Sequence, residues 1–471
     1  MKRLFSTVSL FILALSMLAQ GKAKYVFYFI GDGMGVNHVN AAEYYLGSLE
    51  GRLGTSPLCF GNFPYTAFVT THSASSDVTD SAAAGTAMST GHKTNNGRLG
   101  MSPDKSTSYT SVAKWAQEAG AAVGVTTSVS PDHATPAAFY ANVPDRNMYY
   151  EIGVQMTQTG YDFFAGADFL KPENPNGGPD LYAQCATAGY TIARGYKDYQ
   201  KKQKKADKMV LLQPESCSQR DRSEIAYAID REKDDMTLTE ITRAAINFLT
   251  KKQSEKNGFF LMVEGGKIDH AAHANDATAV ITETIDMDEA VKVAYEFYEQ
   301  HPEETLIIVA ADHETGGMSL GRGAYETHMD QLRYQRMTIH KMGIELRKLH
   351  KTYGDKYNVD VVKEFLKENF GYGAGIKLSD SQNKRIEEAF AHIQAGIGKD
   401  DKSWYQNDDE LASVVKRIMS EQGHVGWTSG AHTGGYVPVF AIGAGAELFT
   451  GRIDNTDIPK RVAQAAGWTV R

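Results

Sequence analysis

The chain has 471 residues, with 57 acidic side chains against 49 basic ones and a formal net charge of −8. That length supports a large core, one big domain with an insertion, without reliance on disulfides. The acidic balance leaves no basic face for a phosphate backbone, which excludes nucleic acid as a docking partner.

The N-terminus reads as a secretory signal peptide over residues 1–23. Lys2-Arg3 precede an apolar run, Leu4 to Ala19, which is followed by Gln20-Gly21-Lys22-Ala23. Sixteen residues are short for a bilayer span, so no stable membrane anchor is expected and the mature protein is expected to be periplasmic or secreted. Cys59, Cys185 and Cys217 allow at most one intrachain disulfide. Cys185 with Cys217 is the candidate pair, and three buried thiols are the alternative.

Five near-continuous apolar runs follow: Tyr25–Ile30, Ala122–Thr127, Phe259–Val263, Leu306–Ala310 and Val437–Ile442. Such runs suit strands buried on both faces of a largely parallel sheet. Helical patterns lie between them, as in Ser111–Glu118 and Asn275–Glu299. The alternation predicts a doubly wound α/β fold, a largely parallel central sheet flanked by helices. Ile30 runs into Gly31-Asp32, Val263 into Glu264 and Ala311 into Asp312-His313. Ligands collect outside the carboxyl ends of such strands, so these polar residues are expected to converge.

Val78-Thr79-Asp80-Ser81 leads into the small-residue run Ala82-Ala83-Ala84-Gly85-Thr86-Ala87. Ser81 then stands at a helix N-terminus, where free N–H groups and partial positive charge favour an anion. An ordinary helix cap has the same signature. Between about Gly321 and Gly430 the texture changes to helices, Met329–Lys351, Val361–Phe370, Ser381–Ile393 and Glu410–Gln422. Ser379 and Asp408 read as caps and Gly423 as a stop. The reading divides the mature chain into a core at 24–320, a helical insertion over the site at 321–430, and the rest of the core at 431–471.

Asp269 and His273 stand four apart, on one face of a helix, and can hold one metal. Asp312-His313 need a strand end or turn to face one ion, and His432 sits in a glycine-flanked loop. Histidine and carboxylate donors suit Zn²⁺, whereas an oxygen-only shell suits Mg²⁺. Asp32 can bridge two ions through its two oxygens.

Val78–Ala84, Ile30–Gly35, Glu264–His273, Asp312-His313 and His432-Thr433-Gly434 together resemble the ordered motifs of the alkaline phosphatase family. Asp132–Ala138 and Asn142–Tyr149 match as well, so the resemblance covers nearly the whole mature chain except the insertion. It implies that Ser81 is a nucleophile forming a phosphoseryl intermediate. Asp269, His273 and His432 would hold one zinc; Asp32, Asp312 and His313 would hold a second. Asp32, Thr135 and Glu264 would hold one magnesium, and Arg146 would grip the phosphate. His133 and His270 replace residues of the best-studied bacterial members and are expected just behind the ligands, ordering water around phosphate and the third metal.

A serine hydroxyl needs a metal or base to lose its proton, and two zinc ions suit an in-line displacement on a dianionic phosphate monoester. A homodimer is implied by the family. A sulfatase would need Pro two residues and Arg four residues after the nucleophile, where Ala83 and Gly85 stand instead. The rival readings are a phosphodiesterase or phosphonate hydrolase of the same superfamily, or a non-catalytic phosphate- or metal-binding protein.

Overall fold

The apolar runs form strands β1 (Tyr25–Gly31), β3 (Ala122–Thr127), β7 (Phe259–Gly265), β8 (Thr305–Ala311) and β13 (Val437–Gly443). Five further strands complete the sheet: β2 (Tyr65–Thr70), β4 (Phe163–Gly166), β5 (Tyr190–Arg194), β6 (Lys208–Leu212) and β14 (Gly451–Asp454). The computed structural model describes residues 22–254, 256–323, 325–395 and 410–471. Residues 1–21 of the expected leader lie outside the described residues, as does the cap expected at Asp408. Ala23 already belongs to the fold, buried and donating its amide to the Ala465 carbonyl at 3.0 Å.

The ten strands run in the order β14-β2-β13-β8-β1-β7-β3-β4-β6-β5. Only β13 runs antiparallel to its neighbours, β2 and β8, so the sheet is largely parallel as expected. Strands β1, β7 and β8 are buried along their whole length. Helices cover the sheet. The longest, Ala277–Gln300, is capped by Asp276, whose side chain accepts from the Ala279 amide. Phe297 of this helix packs against Tyr25, Phe27 and Phe259, with ring centroids 5.0, 5.6 and 5.5 Å apart, and so pins the helix to the sheet.

Register brings the site together. Ile30 of β1 pairs with Glu264 of β7 and with Ala310 of β8. Three adjacent parallel strands therefore end at one level, and Asp32, Glu264 and Asp312 emerge side by side at their carboxyl ends.

After β8 the chain enters two short ladders. Strand β9 (Glu314–Thr315) pairs with β12 (His432–Thr433), and β10 (Ser319–Leu320) pairs with β11 (Val425–Gly426), both antiparallel. Between them lie the helices Ile339–Tyr353, Val359–Phe370, Asp380–Gln394 and Glu410–Gly423. The single helix expected over Met329–Lys351 is instead a 3-10 turn, Met329–Tyr334, followed by a separate helix starting at Ile339. Asp276 braces the break: it accepts from Gln335 Nε2 at 2.9 Å and from the Ile339 amide at 2.9 Å, tying this corner to the core. Ser379 caps its helix as expected.

The cysteine pairing does not form: all three cysteines are free thiols. Cys217 Sγ instead lies 3.2 Å from Asp235 Oδ1, and burial pushes the Cys185 thiol up to about 12.

Candidate active site and metal centre

Ser81 is the first residue of the helix Ser81–Thr90, every residue of which is buried. Asp80 caps that helix by accepting from the Ala83 amide at 3.0 Å. The Ser81 hydroxyl, itself buried, faces His313 Nε2 at 3.2 Å.

Around this serine the expected metal-type residues converge into three groups. Within each, one ligand atom per residue lies within 4.8 Å of the others: Asp269, His273 and His432; Asp32, Asp312 and His313; Asp32, His133 and Glu264. In the first group Asp269 Oδ2 is 3.4 Å from His273 Nε2, and the two imidazole Nε2 atoms are 3.1 Å apart. Their Nδ1 atoms face backbone carbonyls, His273 that of Gly430 at 2.7 Å and His432 that of Thr79 at 2.8 Å. A carbonyl only accepts, so each Nδ1 carries the proton and each Nε2 presents a lone pair. His432 is not in an open loop: it is held in β12, opposite Thr315.

In the second group His313 Nε2 is 3.4 Å from Asp32 Oδ1 and 3.3 Å from Asp312 Oδ2. Asp312 Oδ1 accepts from the Gly33 and His313 amides at 3.0 and 2.9 Å, which fixes the carboxylate. Asp32 Oδ2 turns the other way and accepts from Thr135 Oγ1 at 3.2 Å. The one carboxylate thus serves both groups, with Thr135 beside it. His133 stands closer to the third group than expected, within ligand reach of Asp32 and Glu264 rather than behind them. His270 does lie behind, its Nδ1 2.6 Å from Glu224 Oε2 and its ring 5.9 Å from that of His133.

The donor set fits bound cations. Asp32 Oδ1, Glu264 Oε1 and Asp312 Oδ2 are buried and have no hydrogen-bond partner among the described residues. Buried carboxylate oxygens are rarely left so without an ion or water to satisfy them. Burial, together with the neighbouring carboxylates, raises Asp32 well above the ordinary range and Asp312 to about 8. Burial raises Glu264 to about 7. For Asp269 burial is outweighed by His273, His432 and His313, which hold it well below the ordinary value. A pocket holding four carboxylates is at ease only when divalent charge offsets them.

Arg146 reaches the rim of the same pocket. Its Nη1 lies 3.1 Å from Asp80 Oδ2, and its Nη2 3.4 Å from His133 Nε2. Every site residue expected from the sequence therefore falls in one cluster. Four contributors went unnoticed there. Asp80 orients Arg146; Thr315 Oγ1 donates to Asp269 Oδ1 at 2.5 Å. Glu224 holds His270, and Thr127 Oγ1 donates to Glu264 Oε2. Thr315 was traceable, since it stands two residues after His313 on the same extended face. Glu224, far away in the chain, had no such signal.

Trp427 packs against the core and also lines a cavity of about 630 Å³ together with Asn275, Arg322, Lys416, Arg417 and Gly430. No described helix is long and apolar enough to cross a membrane.

A profile of the alkaline phosphatase family matches residues 23–165 and 176–468 of this chain. Alkaline phosphatase 3 of Bacillus subtilis is 30% identical over 465 residues, covering 96% of this chain and 91% of that protein. Among solved structures, Thermus thermophilus alkaline phosphatase superposes with a TM-score of 0.76 at 28% identity, covering 96% of this chain and 93% of that one. A histidine-to-glutamate variant of TAB5 alkaline phosphatase, with magnesium bound in its M3 site, gives a TM-score of 0.66 at 25% identity over 96% and 99% of the two chains.

Proposed function

The chain belongs to the alkaline phosphatase family and is a phosphomonoesterase, and we propose that it works through a phosphoserine formed on Ser81 beside two zinc ions and one magnesium. The observation that carries this reading is the Ser81 hydroxyl, 3.2 Å from His313 Nε2 of the second ligand group, which shares Asp32 with the third. Asp269, His273 and His432 would hold one zinc, and Asp32, Asp312 and His313 the other. Asp32, Thr135 and Glu264 would hold magnesium, with His133 close enough to join them. When bound, these ions supply the Lewis acidity that makes a serine hydroxyl and water competent nucleophiles at phosphorus.

The protein residues divide the remaining work. Ser81 Oγ attacks phosphorus, forming the Oγ–P bond as the ester oxygen departs with the alcohol. Water then breaks that bond, restoring the hydroxyl and releasing inorganic phosphate, so two inversions leave net retention. The N-terminus of the helix Ser81–Thr90 directs its positive end at the transferring group. Arg146 offers a planar two-toothed clamp for non-bridging oxygens, a geometry that a lysine would not reproduce. Burial drives His133 well below its ordinary pKa, with Arg146 adding to the effect, so it remains a neutral donor or ligand. This concentration of positive charge suits the dianion of a phosphate monoester better than a diester.

Export to the periplasm or medium, the absence of a stable membrane anchor, and a homodimeric state belong to the same proposal. The N-terminal sequence supports the first two and the family resemblance supports the third.

The test is hydrolysis of p-nitrophenyl phosphate at alkaline pH by the wild type and Ser81→Ala, with matched zinc and magnesium content. Turnover in the wild type that drops by roughly a thousandfold or more in the variant is expected. Wild-type silence at full metal occupancy, with hydrolysis of bis-p-nitrophenyl phosphate instead, would move the protein to the diesterases.

A further inference from the structure

Glu326, His328 and His424 form a fourth group whose ligand atoms lie within 4.8 Å of one another, at the surface and apart from the residues around Ser81. We propose that this group is a zinc site that fastens the base of the helical insertion.

The geometry repeats that of the residues beside Ser81. His424 Nδ1 lies 3.1 Å from the Glu326 carbonyl, so Nδ1 carries the proton and Nε2 is left as a lone pair, as in His273 and His432. The rings of His328 and His424 meet edge to face with centroids 4.8 Å apart. His328 Nε2 stands 3.4 Å from Glu326 Oε1. A charge-assisted hydrogen bond would close to about 2.7–2.9 Å. Two ligand atoms at tetrahedral positions around zinc, with bonds of about 2.0–2.1 Å, sit roughly 3.3 Å apart. The Asp269–His273 and Asp312–His313 separations, 3.4 and 3.3 Å, show the same spacing.

Two backbone hydrogen bonds tie the group to the end of the helix Glu410–Gly423. The Arg322 amide donates to the His424 carbonyl at 2.9 Å, and the His328 amide to that of Gly423 at 3.4 Å. His424 adopts a left-handed backbone, φ 56°, where the chain leaves the helix Glu410–Gly423. Glycine also fits that conformation, so the backbone there does not itself require the imidazole. Two imidazoles with one carboxylate suit zinc and disfavour calcium or magnesium, and water can fill the fourth position. An ion bound here would hold Glu326 and His328 to the end of that helix. Through Arg322 it would also fix one wall of the 630 Å³ cavity.

Enzyme with its catalytic sites filled is equilibrated against rising free zinc, and bound zinc is counted by inductively coupled plasma mass spectrometry. The wild type is expected to bind one zinc more than either His328→Ala or His424→Gly, the glycine being suited to the left-handed backbone. Turnover of p-nitrophenyl phosphate is expected to be equal in all three. Glu326→Gln is expected to weaken the extra zinc by more than about tenfold. Equal zinc uptake by the wild type and both histidine variants, up to millimolar free zinc, would overturn the proposal. Because turnover is read separately, that result would leave the Ser81 mechanism untouched.

Discussion

Asp80 ties Arg146 to the helix that begins at Ser81: Oδ1 accepts from the Ala83 amide at 3.0 Å, while Oδ2 stands 3.1 Å from Arg146 Nη1. The same Oδ2 accepts from the Gly97 amide at 2.9 Å, so the carboxylate has little freedom. Asp80→Ala is expected to cost about 1 kcal/mol through the lost cap. It is also expected to raise the inhibition constant for inorganic phosphate several-fold, because the guanidinium is no longer held in place. Asp80→Asn keeps the cap acceptor but loses the charge, so unfolding experiments should show recovered stability while phosphate binding stays weak. Unchanged phosphate inhibition in both variants would mean that Arg146 needs no such support.

The protonation of the carboxylate cluster gives the metal-free protein a distinctive pH response. Asp312 is raised to about 8 and Glu264 to about 7, burial being the main cause of each. In the unfolded chain both carboxyls titrate near about 4. Between those values the folded, metal-free state binds more protons than the unfolded state, so its stability declines as pH rises. The stability these protonated groups lend is fully present below about 4 and has been lost by the time pH passes about 7 to 8. After chelation, the melting temperature is expected to fall between about pH 5.5 and 8.5. Reloading with zinc and magnesium is expected to flatten that slope, since bound cations replace the protons. Parallel slopes with and without metal would contradict the assignment.

Lys267 and Glu283 form a buried ion pair, Nζ 3.3 Å from Oε2, under the helix Lys267–His273 that presents Asp269 and His273. The ammonium also lies 4.2 Å from the centre of the Tyr227 ring, and Glu283 Oε1 accepts from the Ala228 amide at 2.6 Å. Lys267→Ala leaves an uncompensated buried carboxylate and is expected to cost about 3–5 kcal/mol. Replacing both partners, Lys267→Met with Glu283→Leu, is expected to recover most of that loss in denaturant titrations. A single variant as stable as the wild type would show that water reaches the pair.

Gly33 has φ +71°, and a Cβ built on it would stand 2.9 Å from Asp269 Cα, Cβ and Oδ1. Gly33→Ala therefore combines backbone strain with displacement of Asp269, a proposed zinc ligand. A fall of roughly a hundredfold in kcat/KM is expected, the order that a shift of about 1 Å costs at a reacting centre. Metal analysis should show zinc lost from this variant while the far-ultraviolet circular dichroism is retained. Full zinc content with normal turnover would show that the turn relaxes without moving Asp269.

The parts of the fold legible in the sequence were those buried on both sides. Strands β1, β3, β7, β8 and β13 sit at or near the middle of the sheet, and their continuous apolar runs matched the structure within two residues at each end. Strands β2, β4, β5, β6 and β14 are only four to six residues long. Several mix polar with apolar positions, as in Tyr65–Thr70 and Gly451–Asp454, and leave little periodic trace. A glycine at a helix end reads as a stop, yet Gly423 closes its helix without the left-handed turn, which falls to His424. Gly423 is small because Leu332 lies against it: an added Cβ would come within 3.0 Å of Leu332 Cδ2. At the site, residues carried by short motifs were visible from spacing. Contacts that depend on register or on a distant carbonyl, such as His432 with Thr79, were not.

The two short ladders, β9 with β12 and β10 with β11, bring the ends of the insertion together just beyond His313 and just before His432. Apart from the corner that Asp276 holds through Gln335 and Ile339, the excursion is therefore joined to the core where it starts and where it stops. Closing a longer loop on an already fixed base costs little more than closing a shorter one. Such a joint allows lineages, or protein engineers, to trim, lengthen or exchange the helices between the ladders as a cassette. The strand ends that carry Asp32, Glu264 and Asp312 keep their register through such a change.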